Sequence, residues 1–156
     1  MAEIDFPKNL PVYASEIESI LPHRYPFLLI DRILELSGGT SENRVGRKIK
    51  AQKNITFNEP QFTGHFPGNP VYPGVMMIET MAQASALAAY DPIKKTEKIY
   101  IASIQNAKFR APVIPGDVVE IQSECTKDRG SMIIFSCQAL VNSKVVAEAE
   151  IWAKIF

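Results

Sequence analysis

Hydrophobic and polar positions along the chain separate it into a helical centre and a strand-rich second half. From Gly74 to Tyr90 the chain is rich in Ala, Met and Leu and contains no proline. That composition predicts a helix beginning at Gly74 and ended by Asp91-Pro92. Glu79 is its only ionisable side chain before Tyr90, so the segment has no charged face and is expected to be enclosed by protein. From Ile99 onward come segments rich in Val, Ile and Phe, separated by residues 112–117, 127–131 and 142–144, as in antiparallel strands joined by short loops. Upstream, Ser15 followed by Glu18 makes a capping-box pattern, and Ile17, Ile20 and Leu21 recur at helical spacing before Pro22, predicting a short helix over 15–21. The nearly unbroken apolar run over 27–36, stopped by Gly38 and Gly39, predicts a buried strand, and 44–57 a second one. One apolar helix beside five or six strands implies the α+β class, a curved antiparallel sheet wrapped around a central helix, with residues 1–156 as a single domain.

Composition narrows the classes of function. The chain is 46% hydrophobic and 22% charged, with 17 basic and 17 acidic residues, so no net field attracts a polyanion and nucleic acid is not an expected partner. Cys125 and Cys137 each lie in a strand-like segment without metal-ligand spacing, which fits buried free thiols in a reducing compartment. The opening MAEIDFPKNL does not read as a secretory signal, and no stretch reaches the length of a membrane span; the expectation is a cytoplasmic protein.

Between the strands and the helix, residues 58–74 hold four prolines and three glycines, a loop of fixed shape. His65, one of only two histidines, lies in it, where a restricted backbone suits a preorganised general base; capping a turn is the plainer role for such a residue. Glu79 is a carboxylate among methyls and thioethers. Burial there is expected to raise its pKa toward neutrality, and Gln83, four residues on, is placed to orient it with an amide hydrogen bond; Gln83 and backbone could equally satisfy a structural Glu. The Gly74 amide, first in its helix, has no intrahelical partner and can hold a carbonyl oxygen gaining charge. His23, between Pro22 and Pro26, reads as a turn-shaping residue. Lys108 and Arg110 flank Phe109, either as a solvated strand face or as a docking site for an acidic carrier. Met76, Met77 and Met81 fit core filling or the wall of an acyl tunnel equally well.

These residues resemble one family. Leu21-Pro22-His23-Arg24-Tyr25-Pro26-Phe27-Leu28-Leu29-Ile30-Asp31, Gly64-His65-Phe66-Pro67 with Pro70, Pro73-Gly74-Val75 with Glu79, and Lys108-Phe109-Arg110 with Pro115-Gly116-Asp117 are similar to the motifs of the bacterial 3-hydroxyacyl-acyl-carrier-protein dehydratases, the FabZ type. The resemblance runs from about Ile17 to Ile155, and it implies His65 as catalytic histidine, Glu79 as catalytic acid and Gly74 as the carbonyl-polarising amide, supported by Gln83, Phe66, Pro73 and Val75. Glu79, where isomerising relatives of the FabA type carry Asp, favours the non-isomerising branch; Asn69 and Tyr72 are departures that leave the His-to-Glu spacing intact. The family implies a hot-dog fold and (3R)-hydroxyacyl substrates on the phosphopantetheine arm of acyl carrier protein, with no metal or organic cofactor. It also implies a homodimer whose sites take His65 from one chain and Glu79 from the other, assembled as a hexamer, a trimer of dimers. In the implied reaction His65 removes the C2 proton and protonated Glu79 gives its proton to the C3 hydroxyl; in a variant His65 handles both protons. A hot-dog thioesterase and a non-catalytic acyl-thioester binding module are the rival readings, the first revealed by release of free thiol and the second by binding without a change in enoyl absorbance.

Overall fold

Six antiparallel strands form one sheet in the order β1-β2-β4-β5-β6-β3 in the computed structural model, which describes residues 2–94 and 97–156. The strands are β1 (Arg32–Ser37), β2 (Lys48–Asn54), β3 (Ile99–Phe109), β4 (Val118–Asp128), β5 (Met132–Val141) and β6 (Lys144–Ile155). Along β4 the inward set Val119, Ile121, Ser123 and Cys125 is buried while its neighbours face outward, the two-residue period of a sheet with one covered face. What covers that face is α2 (Gly74–Ala89). Met81, Ala84, Leu87 and Ala88 are each 0% exposed on it, and the small alanines let the helix settle closely on the strands. The sheet's two-residue turn at Asn142 and Ser143 takes φ of 49° and 65°, the paired left-handed conformation that matches hairpin twist.

Three local expectations are corrected. The first helix, α1 (Ala14–Ile20), begins a residue early with Tyr13 as its N-cap, and no side chain caps it, so Ser15 and Glu18 do not form a capping box; fully buried Ile17 anchors it by packing instead. The apolar run over 27–36 is a strand only from Arg32 onward. Its first part is held by a side chain, because the Leu29 N–H donates to Gln83 Oε1 at 2.9 Å and Gln83 Nε2 donates to the Phe27 carbonyl at 2.6 Å. Apolarity there reflects burial of Leu29 and Ile30, the latter within the main core. The second strand is likewise shorter than 44–57, because buried Arg44 and Arg47 turn toward the end of α2.

The enclosure expected of α2 is also incomplete. Val75, 78% exposed, begins a stripe that continues through partly covered Glu79, Ala82 and Ala86, one helical repeat apart, and that the chain's own sheet does not cover.

Candidate active site

A short 3-10 turn, Pro60–Thr63, leads into the His65 loop, and a buried ion pair fixes it: Lys53 Nζ reaches Glu59 Oε1 at 2.6 Å, and Glu59 Oε2 accepts the Thr56 N–H at 2.8 Å. Beyond it the chain closes on itself twice. The Val71 N–H donates to the His65 carbonyl at 3.0 Å, and inside that bridge Phe66 and Asn69 exchange backbone bonds of 3.1 and 2.9 Å around Gly68 at φ 73°. The His65 ring is pinned as well. Its Nδ1 lies 2.7 Å from the Val71 carbonyl, which can only accept, so Nδ1 carries the proton and Nε2 presents a lone pair. Phe66 stacks on the imidazole with ring centroids 3.9 Å apart. The imidazole is thus held in a defined tautomer and orientation.

Tyr72 carries the loop back to the core, its N–H on the Val113 carbonyl at 2.7 Å and its hydroxyl 3.0 Å from Thr80 Oγ1. Burial pushes that phenol well above its ordinary range, so it stays neutral and serves as an anchor. Pro73 is the N-cap of α2 and lends no side-chain cap. The Gly74 N–H has no hydrogen-bond partner among the described residues, whereas the Met76 and Met77 N–H groups close on the Pro73 carbonyl. His65, Gly74 and Phe109 line one cleft of about 430 Å³, so a free amide at a helix start and a basic imidazole face the same space.

Glu79 lies elsewhere. It lines a mostly apolar cleft of about 310 Å³ with Ile133, Phe135 and Ile151. Its Oε1 accepts the Gln83 amide at 2.9 Å and faces His23 Nε2 at 3.2 Å. Burial is the largest influence on this carboxyl and works upward, yet the hydrogen bonds from His23 and Gln83 and the His23 charge together outweigh it, so the group stands below its ordinary value. That reverses the expected rise toward neutrality. The cause is His23, which by its sequence context alone reads as a turn residue. Within one chain His65 and Glu79 line different clefts and share no hydrogen bond or ion pair.

Lys108 and Arg110 are both exposed beside Glu148, with Arg110 Nη2 3.0 Å from Glu148 Oε1. The Arg110 hydrogen bond and charge, with Lys108 behind them, hold the Glu148 carboxyl below its usual range. Met77 and Met81 are core residues, and Met76 packs at its margin. Cys125 and Cys137 are buried free thiols, and burial raises the Cys125 pKa to about 12.

Comparison with known proteins identifies the family and the fold. Residues 21–150 match the FabA-like domain family. The chain is 48% identical over 147 residues to the 3-hydroxyacyl-acyl-carrier-protein dehydratase FabZ of a Nitratiruptor species, covering 90% of this chain and 95% of that one. To the FabZ of Campylobacter hominis it is 49% identical over 145 residues, with the same coverage of 90% and 95%. Among solved structures, the dehydratase heterocomplex ApeI:P from Xenorhabdus doucetiae superposes with a TM-score of 0.71 at 15% identity over 94% of this chain and 91% of that chain. A hot-dog-like protein from Thermanaerovibrio acidaminovorans gives 0.61 at 15% identity over 72% and 82%. A thioesterase superfamily member from Thermus thermophilus also gives 0.61, at 19% identity over 72% and 82%; identities this low speak for the fold alone. The chain therefore has the hot-dog fold and belongs to the FabZ family of 3-hydroxyacyl-acyl-carrier-protein dehydratases, hydro-lyases of fatty acid biosynthesis.

Proposed function

We propose that this dehydratase acts on a (3R)-hydroxyacyl thioester of acyl carrier protein with His65 of one chain and Glu79 of a second. The observation that carries the reading is the tautomer of His65: with Nδ1–H on the Val71 carbonyl, Nε2 is free to take a proton beside the unpartnered Gly74 amide. His65 removes the C2 proton, and the charge that develops on the thioester oxygen is held by the Gly74 N–H. The C3–O bond then breaks as the Glu79 carboxyl gives its proton to the hydroxyl, leaving a trans-2-enoyl thioester and water. Return of the proton from His65 to Glu79 through solvent resets the pair. Seating an acyl chain beside Glu79 displaces water and strengthens burial, the influence that already pushes this carboxyl upward most.

A second reading is supported by the low-lying Glu79 carboxyl. In it His65 carries both protons, and Glu79, ionised, orients the C3 hydroxyl. A crotonyl-thioester hydration assay followed by enoyl absorbance separates the two. His65→Ala is expected to lose about a hundredfold to ten-thousandfold in rate under both, and Glu79→Gln by as much under the first. A Glu79→Gln loss of only about twofold to tenfold supports the second, since an amide can still orient a hydroxyl, though less well than a carboxylate. Folded His65→Ala protein with wild-type turnover overturns both, and free thiol release would return the reading to a thioesterase.

Assembly and partners follow from the same proposal. Edge strand β3 exposes Tyr100, Ile101, Ile104 and Phe109, an apolar edge suited to a second copy, and dimers of this kind would join as a trimer of dimers. Arg110, which lines the His65 cleft, and exposed Lys108 two residues before it are proposed to meet the acidic carrier, and Phe66, Pro73 and Val75 to shape the entrance. Buried free cysteines support a cytoplasmic location.

A further inference from the structure

His23 has no part in the elimination described above, yet its ring is built into the site. It follows α1 on a proline-bounded segment, and its Nε2 lies 3.2 Å from Glu79 Oε1. Gln83 Nε2 donates to that same oxygen at 2.9 Å. Oε1 thus faces two donors, while Oε2 takes no hydrogen bond among the described residues. His23 Nδ1 is buried without any partner. A proton there finds no acceptor, so Nε2 is the ring nitrogen whose N–H serves the carboxylate. Gln83 is itself held on both ends of its amide by residues 27 and 29, continuous in sequence with His23, so one segment of chain fixes both donors.

We propose that His23 is a positioning residue for the elimination: with Gln83 it ties down Glu79 Oε1, so that Oε2 alone meets the C3 hydroxyl. The inference rests on the reading that Glu79 acts at C3. Few other polar or charged groups face this carboxyl. β5 and β6 present apolar side chains to its cleft and β3 presents Tyr100. The Tyr72 phenol, a more distant charge neighbour, stays neutral. Arg24, next to His23, is turned away to the carbonyls of Leu21 and His23 and to Glu18. His23 is therefore the one histidine or cation that the described residues aim at Glu79.

The test compares His23→Leu, which removes the donor, with His23→Gln, which keeps an amide N–H near the Nε2 position. Turnover of a 3-hydroxyacyl thioester is measured across pH, and the Glu79 carboxyl is titrated by carbon-13 NMR with its signal assigned by difference from Glu79→Gln. His23→Leu is expected to lower kcat by about tenfold to a hundredfold with KM little changed, the loss of one hydrogen bond to a charged group. Its Glu79 midpoint is expected to move to higher pH, and His23→Gln to recover most of the loss in both readouts. Equal losses in the two variants, or an unmoved Glu79 midpoint, would overturn the proposal. Wild-type turnover in Glu79→Gln would instead sink the role of Glu79 at C3 and this inference with it, a result distinguishable because the midpoint shift in His23→Leu would persist.

Discussion

At Gly74 a methyl group has almost no room. A Cβ built there would come within 2.9 Å of Phe109 Cε1 and 3.2 Å of Cδ1. The obstacle is the far end of a side chain that is 55% exposed, so the ring can swing away at modest cost, and alanine suits a first helical position. Gly74→Ala should therefore shift the melting temperature by less than about 2 °C. Catalysis should respond more, because the methyl and the displaced ring both intrude where the thioester oxygen must reach the amide: kcat/KM is expected to fall by about tenfold to a hundredfold. Thermal melts and the hydration assay on one preparation check this, and full activity in the variant would mean that the amide lies away from the reacting carbonyl. The candidate site was legible in sequence where chemistry stood out from its surroundings. Glu79 is the one carboxylate in an apolar helix, Gln83 lies one turn on, and His65 sits in a loop dense with proline. His23 was not legible, since its prolines signal a turn and its partner is remote in sequence. Without it the acidity of Glu79 was expected on the wrong side of its ordinary value, because burial and the Gln83 amide could be read from the helix and the second donor, His23, could not.

The C-terminal end of α2 shows what sequence patterns leave out at the level of elements. No basic residue lies in its last turn, and no side chain within the helix caps its carbonyls. Two arginines from the segment before β2 do so: Arg44 Nε donates to the Ala89 carbonyl at 2.9 Å and Arg47 Nε to the Ala88 carbonyl at 3.2 Å. Arg47 also donates to Gly38 at 3.0 Å and to Phe6 at 2.6 Å, joining the helix end, the β1–β2 connection and the N-terminal segment through one guanidinium. Burial lowers its pKa, Asp91 opposes that and Arg44 adds to it; the charge is tolerated because its donors face carbonyls and the negative end of a helix. Arg47→Met would leave three carbonyls without donors. It is expected to destabilise the fold by about 2–5 kcal/mol, a fall in melting temperature on the order of 10 °C. A melt within about 2 °C of wild type would show that water replaces the guanidinium freely. The helix itself and the four later strands could be read from composition and period because local propensity and burial agree there. Residues 27–31 and 44–47 could not, since their backbone or side chains are satisfied by distant groups, Gln83 in one case and the end of α2 in the other.

On the scale of the whole molecule, the proposed site is incomplete in a single chain. His65 and Glu79 open into separate clefts, α2 keeps an incompletely covered stripe from Val75 through Glu79 to Ala86, and the sheet ends in an exposed apolar edge at β3. A second copy related by a two-fold axis would answer all three at once, because such an interface covers the same patch on both chains and builds two equivalent sites. The arrangement makes a prediction that no single-chain site shares. With Glu79 as the proton donor proposed above, a chain carrying His65→Ala and a chain carrying Glu79→Gln are each expected to lose nearly all activity alone. In a mixed dimer one site loses both groups, while the other takes intact His65 from the Glu79→Gln chain and intact Glu79 from the His65→Ala chain. Random pairing makes half of the dimers mixed, with one of two sites whole, so co-refolded equal amounts should recover about a quarter of wild-type hydration activity. The mixture is read against each variant refolded alone, with chain exchange verified by mass spectrometry of differently tagged copies. If mixed dimers form and no activity returns, His65 and Glu79 do not act across two chains.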